Sequence, residues 1–87
     1  MGVRFTSVRP VDPSLRDLLT ETEFRIAGQL RDGLTNCEIA EELGLSVHTV
    51  KAYVVRSFDR AGCENRVMLA VRYQREEAEG RYRVVSK

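Results

Sequence analysis

Four times between residues 20 and 80, a side chain suited to opening a helix is followed, one helix-length on, by a glycine suited to closing it. The openers are Thr20, Thr35, Ser46 and Asn65; the closers are Gly33, Gly44, Gly62 and Gly80. Threonine, serine and asparagine at a helix start accept one of the backbone N–H groups that the first turn leaves unpaired. Two of the starts are stronger still. Thr20 with Glu23, and Thr35 with Glu38, form capping boxes, in which each residue takes up an orphan N–H of the other. Glycine closes the segments because it enters a left-handed conformation at little steric cost. This punctuation predicts four consecutive helices joined by loops of two to four residues.

Between these marks the apolar residues recur at helical intervals. Ile26, Ala27 and Leu30 line the first helix, and Ile39, Ala40 and Leu43 the second. Val47, Val50, Val54 and Phe58 share one side of the third. The fourth runs from Asn65 to about Ala78, with Val67, Ala70 and Val71 assigned to the interior. Leu69 and Tyr73, one turn apart, then project from nearly the opposite side, and a helix apolar on two sides calls for a second partner. Upstream, Asp12-Pro13 suits a short helical turn through Leu18, with proline at the favoured first position. Residues 3–8 and 81–85 alternate enough to suggest short extended termini.

A chain of 87 residues supports one small domain with one modest core. No apolar run approaches the ~20 residues a membrane span requires, and the first ten residues lack the apolar stretch of a signal peptide. The expected setting is cytoplasmic. Cys37 and Cys63 stand at no metal-ligand spacing and there is a single histidine, which argues against a zinc site and for reduced thiols. Net charge is only +1, but its distribution is uneven. Residues 11–45 carry three arginines against eight acids, a balance of −5; residues 46–75 carry six basic residues against two acids, a balance of +4. A molecule polarised in this way can hold one face to an anionic surface.

Residues 35–60 have the proportions of a helix-turn-helix: a short helix over Asn36–Leu43, the turn Gly44-Leu45-Ser46, and a longer helix. Ala40 stands where the two helices cross, and Leu45 plugs the core beneath the turn. The side of the longer helix away from its apolar stripe shows His48, Thr49, Lys51, Ala52, Val55, Arg56 and Asp59. Reading DNA requires donors for phosphates and base edges, together with small apolar groups for thymine methyls. Lys51 and Arg56 supply the first, Ala52 and Val55 the second. Val55 is the informative residue, since solvent does not favour valine on an exposed face. Ser46 and Thr49, at the helix N-terminus, suit a phosphate, and His48 beside them is expected to face a phosphate as well or else solvent.

Leu19-Thr20 with Glu23, Gly33-Leu34-Thr35-Asn36 with Glu38-Ile39-Ala40, Leu43-Gly44-Leu45-Ser46, Thr49-Val50-Lys51 and Asn65-Arg66 resemble the DNA-binding domain of LuxR-type regulators, the domain that also serves as the output module of response regulators. The resemblance runs from about Leu19 to Tyr73. It implies an all-α, tetrahelical helix-turn-helix domain whose third helix enters the major groove, with Lys51, Ala52, Val55 and Arg56 at positions used for bases and phosphates. It also implies backbone contacts at Thr35 and Asn36, and a dimer surface on the fourth helix, where Leu69 and Tyr73 are the expected contacts. The chain departs from the family pattern at Ala27, Cys37 and Arg60-Ala61-Gly62-Cys63, changes conservative for the fold, and at Val55, where many members carry a polar residue, so their target sequence does not transfer. The expected organisation is an N-terminal extension over 1–18, the helix-turn-helix domain over 19–79 and a C-terminal tail over 80–87.

The function these readings predict is sequence-specific binding of double-stranded DNA by a homodimer that regulates transcription, without a cofactor or a small-molecule site. Two alternatives share the fold: a sigma-factor region-four-like domain acting through RNA polymerase, and a protein-interaction module that has lost DNA binding. His48 lacks the acid, nucleophile and oxyanion donors that catalysis would require, so no enzyme is expected.

Overall fold

The computed structural model describes residues 13–82, and these are helical with no strand among them. The order is α1 (Leu15–Leu18), α2 (Glu21–Arg31), α3 (Asn36–Leu43), α4 (Val47–Ala61) and α5 (Arg66–Ala78). The four expected helices are α2 to α5, and the expected turn before them is α1, which starts at Leu15 behind a Ser14 cap rather than with Pro13 in its first position. The extended segment expected over 3–8, and the part of 81–85 beyond Tyr82, lie outside the described residues.

Each expected cap forms. Thr20 Oγ1 accepts the Glu23 N–H at 3.2 Å while Glu23 accepts the Thr20 N–H at 3.0 Å, and Thr35 and Glu38 repeat the exchange at 3.2 and 2.8 Å. Ser46 and Asn65 accept the N–H of Thr49 and of Met68, both at 3.0 Å. In the turn between α3 and α4, Gly44 adopts φ 69° and ψ 33°, a left-handed conformation costly for any residue bearing a Cβ. That twist returns the Leu45 N–H to the Ala40 carbonyl at 2.9 Å and drops the Leu45 side chain, half-buried, against the core. Ala40 itself is buried, as its place at the crossing requires.

Helix α2 lies at the centre, packed against α4 and α5; α3 packs on α4, and α1 touches both α2 and α4. The core joins Leu15, Leu19, Ile26, Leu30, Ile39, Val50, Val54 and Leu69, closed at one end by the rings of Phe24, Tyr73 and Tyr82. Those rings meet at centroid distances of 4.9 to 5.2 Å, with Phe24 and Tyr82 edge to face. Leu15 and Tyr82 flank the 19–79 segment and are both buried, so the packed unit extends past each end of it. On α4 the buried side is Val50, Val54, Ser57 and Ala61; Val47 and Phe58 sit about 60–80° around the helix from Val50 at 100° per residue, on the edge of that stripe. Val47 is accordingly exposed and Phe58 only half-buried.

Helix α5 corrects the expectation for its two sides. Leu69 and Tyr73, expected to project outward, are 0% and 4% exposed, whereas Val67 and Val71, expected inside, are 66% and 53% exposed. Three interactions hold the helix in this rotation. The buried Glu76, on the Leu69 side, accepts the Leu15 N–H at 2.9 Å and Arg72 Nε at 2.8 Å. Tyr73 packs on Gly28 of α2, where an added Cβ would lie 3.0 Å from the phenol oxygen. Tyr82 covers Tyr73 from the C-terminal side and donates its hydroxyl to the Tyr73 carbonyl at 2.8 Å. Gly28 explains itself here: mid-helix glycine costs about 1 kcal/mol relative to alanine, and the close approach of Tyr73 is what the missing Cβ allows.

Candidate nucleic-acid interface

The outward side of α4 gathers His48, Lys51, Ala52, Val55, Arg56 and Asp59 around one shallow concave surface. Five of these six are the residues expected to face DNA, and they come together because they recur at three- and four-residue intervals on a helix whose other side is locked into the core. Val55 is 59% exposed and is not among the residues of the core or those packed against it. Lys51 and Arg56 are exposed and make no ion pair among the described residues. The Arg56 guanidinium lies 5.2 Å from the Tyr53 ring centroid, a cation–π contact that restricts its swing without neutralising it.

At the head of α4 the Ser46 hydroxyl donates to Thr49 Oγ1 at 2.8 Å while accepting the Thr49 N–H. The hydrogen of the Thr49 hydroxyl is left for an outside acceptor. On α3, Thr35 Oγ1 is occupied as an acceptor by its capping box and likewise retains its hydroxyl hydrogen. Asn36, next in line and half-exposed, has its side-chain oxygen held by Arg66 Nη1 at 3.1 Å.

Much of the positive charge read along residues 46–75 is consumed inside the fold. Arg60 Nε reaches the buried Glu23 carboxylate at 3.1 Å. Arg72 binds Glu76 and donates to the carbonyls of Ala61 at 2.8 Å and Pro13 at 2.9 Å, tying three segments together. Arg66 serves Asn36 and the Leu34 carbonyl. What α4 turns outward is therefore Lys51 and Arg56, offset by Asp59. The sequence shows the arginines but not their partners, which, Glu76 of the Arg72 pair apart, lie 11 to 59 residues away.

Leu69 and Tyr73, expected at a dimer surface, are core residues. The apolar residues that α5 does expose are Val67, Met68 and Val71, which with Gly62, Cys63, Arg72 and Arg75 line a shallow groove beside the end of α4. Glu76 corrects a further expectation: in sequence the run Glu76-Glu77-Glu79 reads as solvated charge, yet Glu76 is buried and paired. Tyr82, a lone tyrosine past a glycine stop, reads as tail but is buried as well. Among the described residues no group of histidine, cysteine, aspartate and glutamate is placed to hold a metal ion, and no helix is long and apolar enough to cross a membrane. Cys37 is exposed and Cys63 half-buried, both as thiols.

Two comparisons bear on this arrangement. Over 53 residues, 61% of its length, the chain is 43% identical to the DNA-binding transcriptional activator DevR/DosR of Mycobacterium tuberculosis. That stretch covers 24% of the relative, so the chain spans about a quarter of the protein it matches. The family of bacterial regulatory proteins of the luxR type matches residues 17–73, from the end of α1 through the middle of α5, and takes in the turn, the outward face of α4 and the start of the exposed α5 groove. A match over that much of the chain, on this helical framework, places the protein in the luxR family of bacterial regulatory proteins.

Proposed function

We propose that this chain binds double-stranded DNA in a sequence-specific manner and regulates transcription, with α4 in the major groove and two copies paired through α5. The observation that carries the reading is the outward face of α4: two unpaired cations flank two small apolar side chains, on a helix otherwise fixed by its core. Lys51 and Arg56 donate to phosphates or base edges, and Ala52 and Val55 meet thymine methyls. His48, Ser46 and Thr49 at the head of α4, with Thr35 and Asn36 on α3, hold the backbone and set the register, since most such contacts position rather than specify. The DNA partner and the cytoplasmic setting are in keeping with a DNA-binding relative and with the absence of any membrane-length helix among the described residues.

Pairing is assigned to Val67, Met68 and Val71. Three exposed apolar residues on consecutive turns of one helix form a continuous surface that a second copy covers, and a two-fold pair reads two half-sites about one DNA turn apart. The test is selection from a random-sequence duplex pool, read by fluorescence anisotropy at low and physiological salt. Enrichment of a two-fold symmetric site with half-sites about 10 base pairs apart is the expected result. No retention on any duplex at low salt would instead mean that the helix-turn-helix serves as a protein-docking scaffold.

A further inference from the structure

Arg66 opens α5, yet its side chain is committed to α3 and the loop before it. Nη1 donates to Asn36 Oδ1 at 3.1 Å and Nη2 to the Leu34 carbonyl at 2.8 Å. A guanidinium carries five donors and no acceptor. Asn36 must therefore present its amide oxygen to Arg66, and the orientation of that amide follows from chemistry alone. Its Nδ2 group, with two hydrogens, is left on the other side and makes no hydrogen bond among the described residues.

Asn36 is the first residue of α3 and half-exposed. In a helix-turn-helix the helix before the recognition helix crosses the DNA backbone, where asparagine and threonine side chains donate to phosphates. An amide free to turn over would lose that freedom on meeting a phosphate, which accepts from its NH2 and repels its oxygen. Held by Arg66, it offers only donors.

We propose that Arg66 is a positioning residue for DNA binding: it pins the Asn36 amide with its NH2 group toward the phosphate backbone, so that α5 sets the polarity of a contact made by α3. This rests on the reading of α4 as a major-groove helix. It predicts that Arg66 and Asn36 act on affinity as one unit.

The test is a double-mutant cycle on a selected duplex, with thermal unfolding measured for each protein. Asn36→Ala is expected to weaken binding about tenfold, the loss of one charge-assisted hydrogen bond. Arg66→Gln should weaken it by a similar factor, and the double variant by no more than either alone. Losses that multiply would overturn the proposal. Asn36→Asp separates positioning from simple bracing: it keeps and strengthens the Arg66 contact, so its melting temperature holds, while its carboxylate repels phosphate and affinity falls further than for alanine. Wild-type affinity in Asn36→Asp would sink the proposal. Should Arg66→Gln fail to fold, the wild-type protein still decides through the NMR signals of the Asn36 side-chain NH2, which must shift when DNA is added; signals unmoved at saturation count against it. Failure of the wild-type protein to bind any duplex would instead strike the DNA reading itself, before any variant is compared.

Discussion

Helices α4 and α5 both turn apolar side chains outward, but in different company. On α4 the exposed Val55 and Ala52 sit among Lys51, Arg56 and His48, with one acid, Asp59, at the far end. On α5 the exposed Val67, Met68 and Val71 form an apolar strip beside Gly62 and Cys63, with Arg72 already bound to Glu76 and Arg75 near Glu79. Apolar groups interleaved with unpaired cations suit a duplex, which presents phosphates and thymine methyls side by side. Apolar groups contiguous with one another, their neighbouring arginines internally paired, suit protein, because only another apolar surface removes them from water. The two surfaces lie on adjacent helices, so the proposed pairing and the proposed DNA contact would be held at a fixed spacing within one small domain.

The sharpest way to break this comparison is to exchange the roles of the two sides of α5. Leu69→Ala is expected to cost about 2–5 kcal/mol, a large share of the stability of a domain this small, and calorimetry should find it largely unfolded or melting far lower. Val71→Ala should leave the melting temperature nearly unchanged. A reversal of those two results would return α5 to the rotation first expected from its sequence. Next in size, Lys51→Ala combined with Arg56→Ala should weaken specific DNA binding about a hundredfold or more, at one to three kcal/mol per base-reading contact, with the helical circular dichroism signal and dimerisation intact. Loss of dimerisation in that variant would show that the surfaces of α4 and α5 are not separate.

Smaller again, Val67→Asp with Val71→Asp should raise the dimer dissociation constant about tenfold, roughly 1.4 kcal/mol, in analytical ultracentrifugation, without unfolding the monomer. Unchanged self-association would remove α5 as the pairing surface. The smallest effect concerns the ring cluster beneath that helix. Tyr82→Phe deletes the hydrogen bond to the Tyr73 carbonyl and should cost about 1 kcal/mol. It should also alter the alkaline limb of stability. Burial, reinforced by Glu76, holds the Tyr82 phenol above its ordinary value, and burial does the same for Tyr73. Their neutral forms are favoured in the folded state, so this contribution is complete below the unfolded value of about 10 and is lost as pH rises through the folded values. Melting temperature should hold from pH 7 to 9 and then fall, less steeply in Tyr82→Phe; identical alkaline limbs would argue against a buried, neutral Tyr82.

Much of the α4 site was legible in advance because it needs only one helix and one fact about it. Once Val50 and Val54 are inside, the helical repeat places Lys51, Ala52, Val55 and Arg56 outside together. The sides of α5 were not legible for the converse reason. Leu69 and Tyr73 make one apolar stripe and Val67 and Val71 another, and periodicity ranks neither above the other. Glu76 adds to the difficulty, since a carboxylate continuing the Leu69 and Tyr73 stripe argues for exposure until the Leu15 N–H and Arg72 are seen to receive it. The arginines repeat the lesson: Arg60, Arg66 and Arg72 count toward the basic balance of residues 46–75 in sequence and prove to be ties between segments.

By itself, then, the sequence determined where each of α2 to α5 starts and stops, because a cap and a glycine act across three or four residues of the same chain segment. It determined as well that α3 and α4 meet at a tight turn, since Ala40, Gly44 and Leu45 leave little other choice. Only the tertiary structure decided which stripe of α5 is core, which arginines are spent inside and which face outward, and that Leu15 and Tyr82 belong to the packed unit. Those outcomes depend on partners up to 61 residues apart, and the free energy that selects them comes from burying groups whose neighbours no local pattern names.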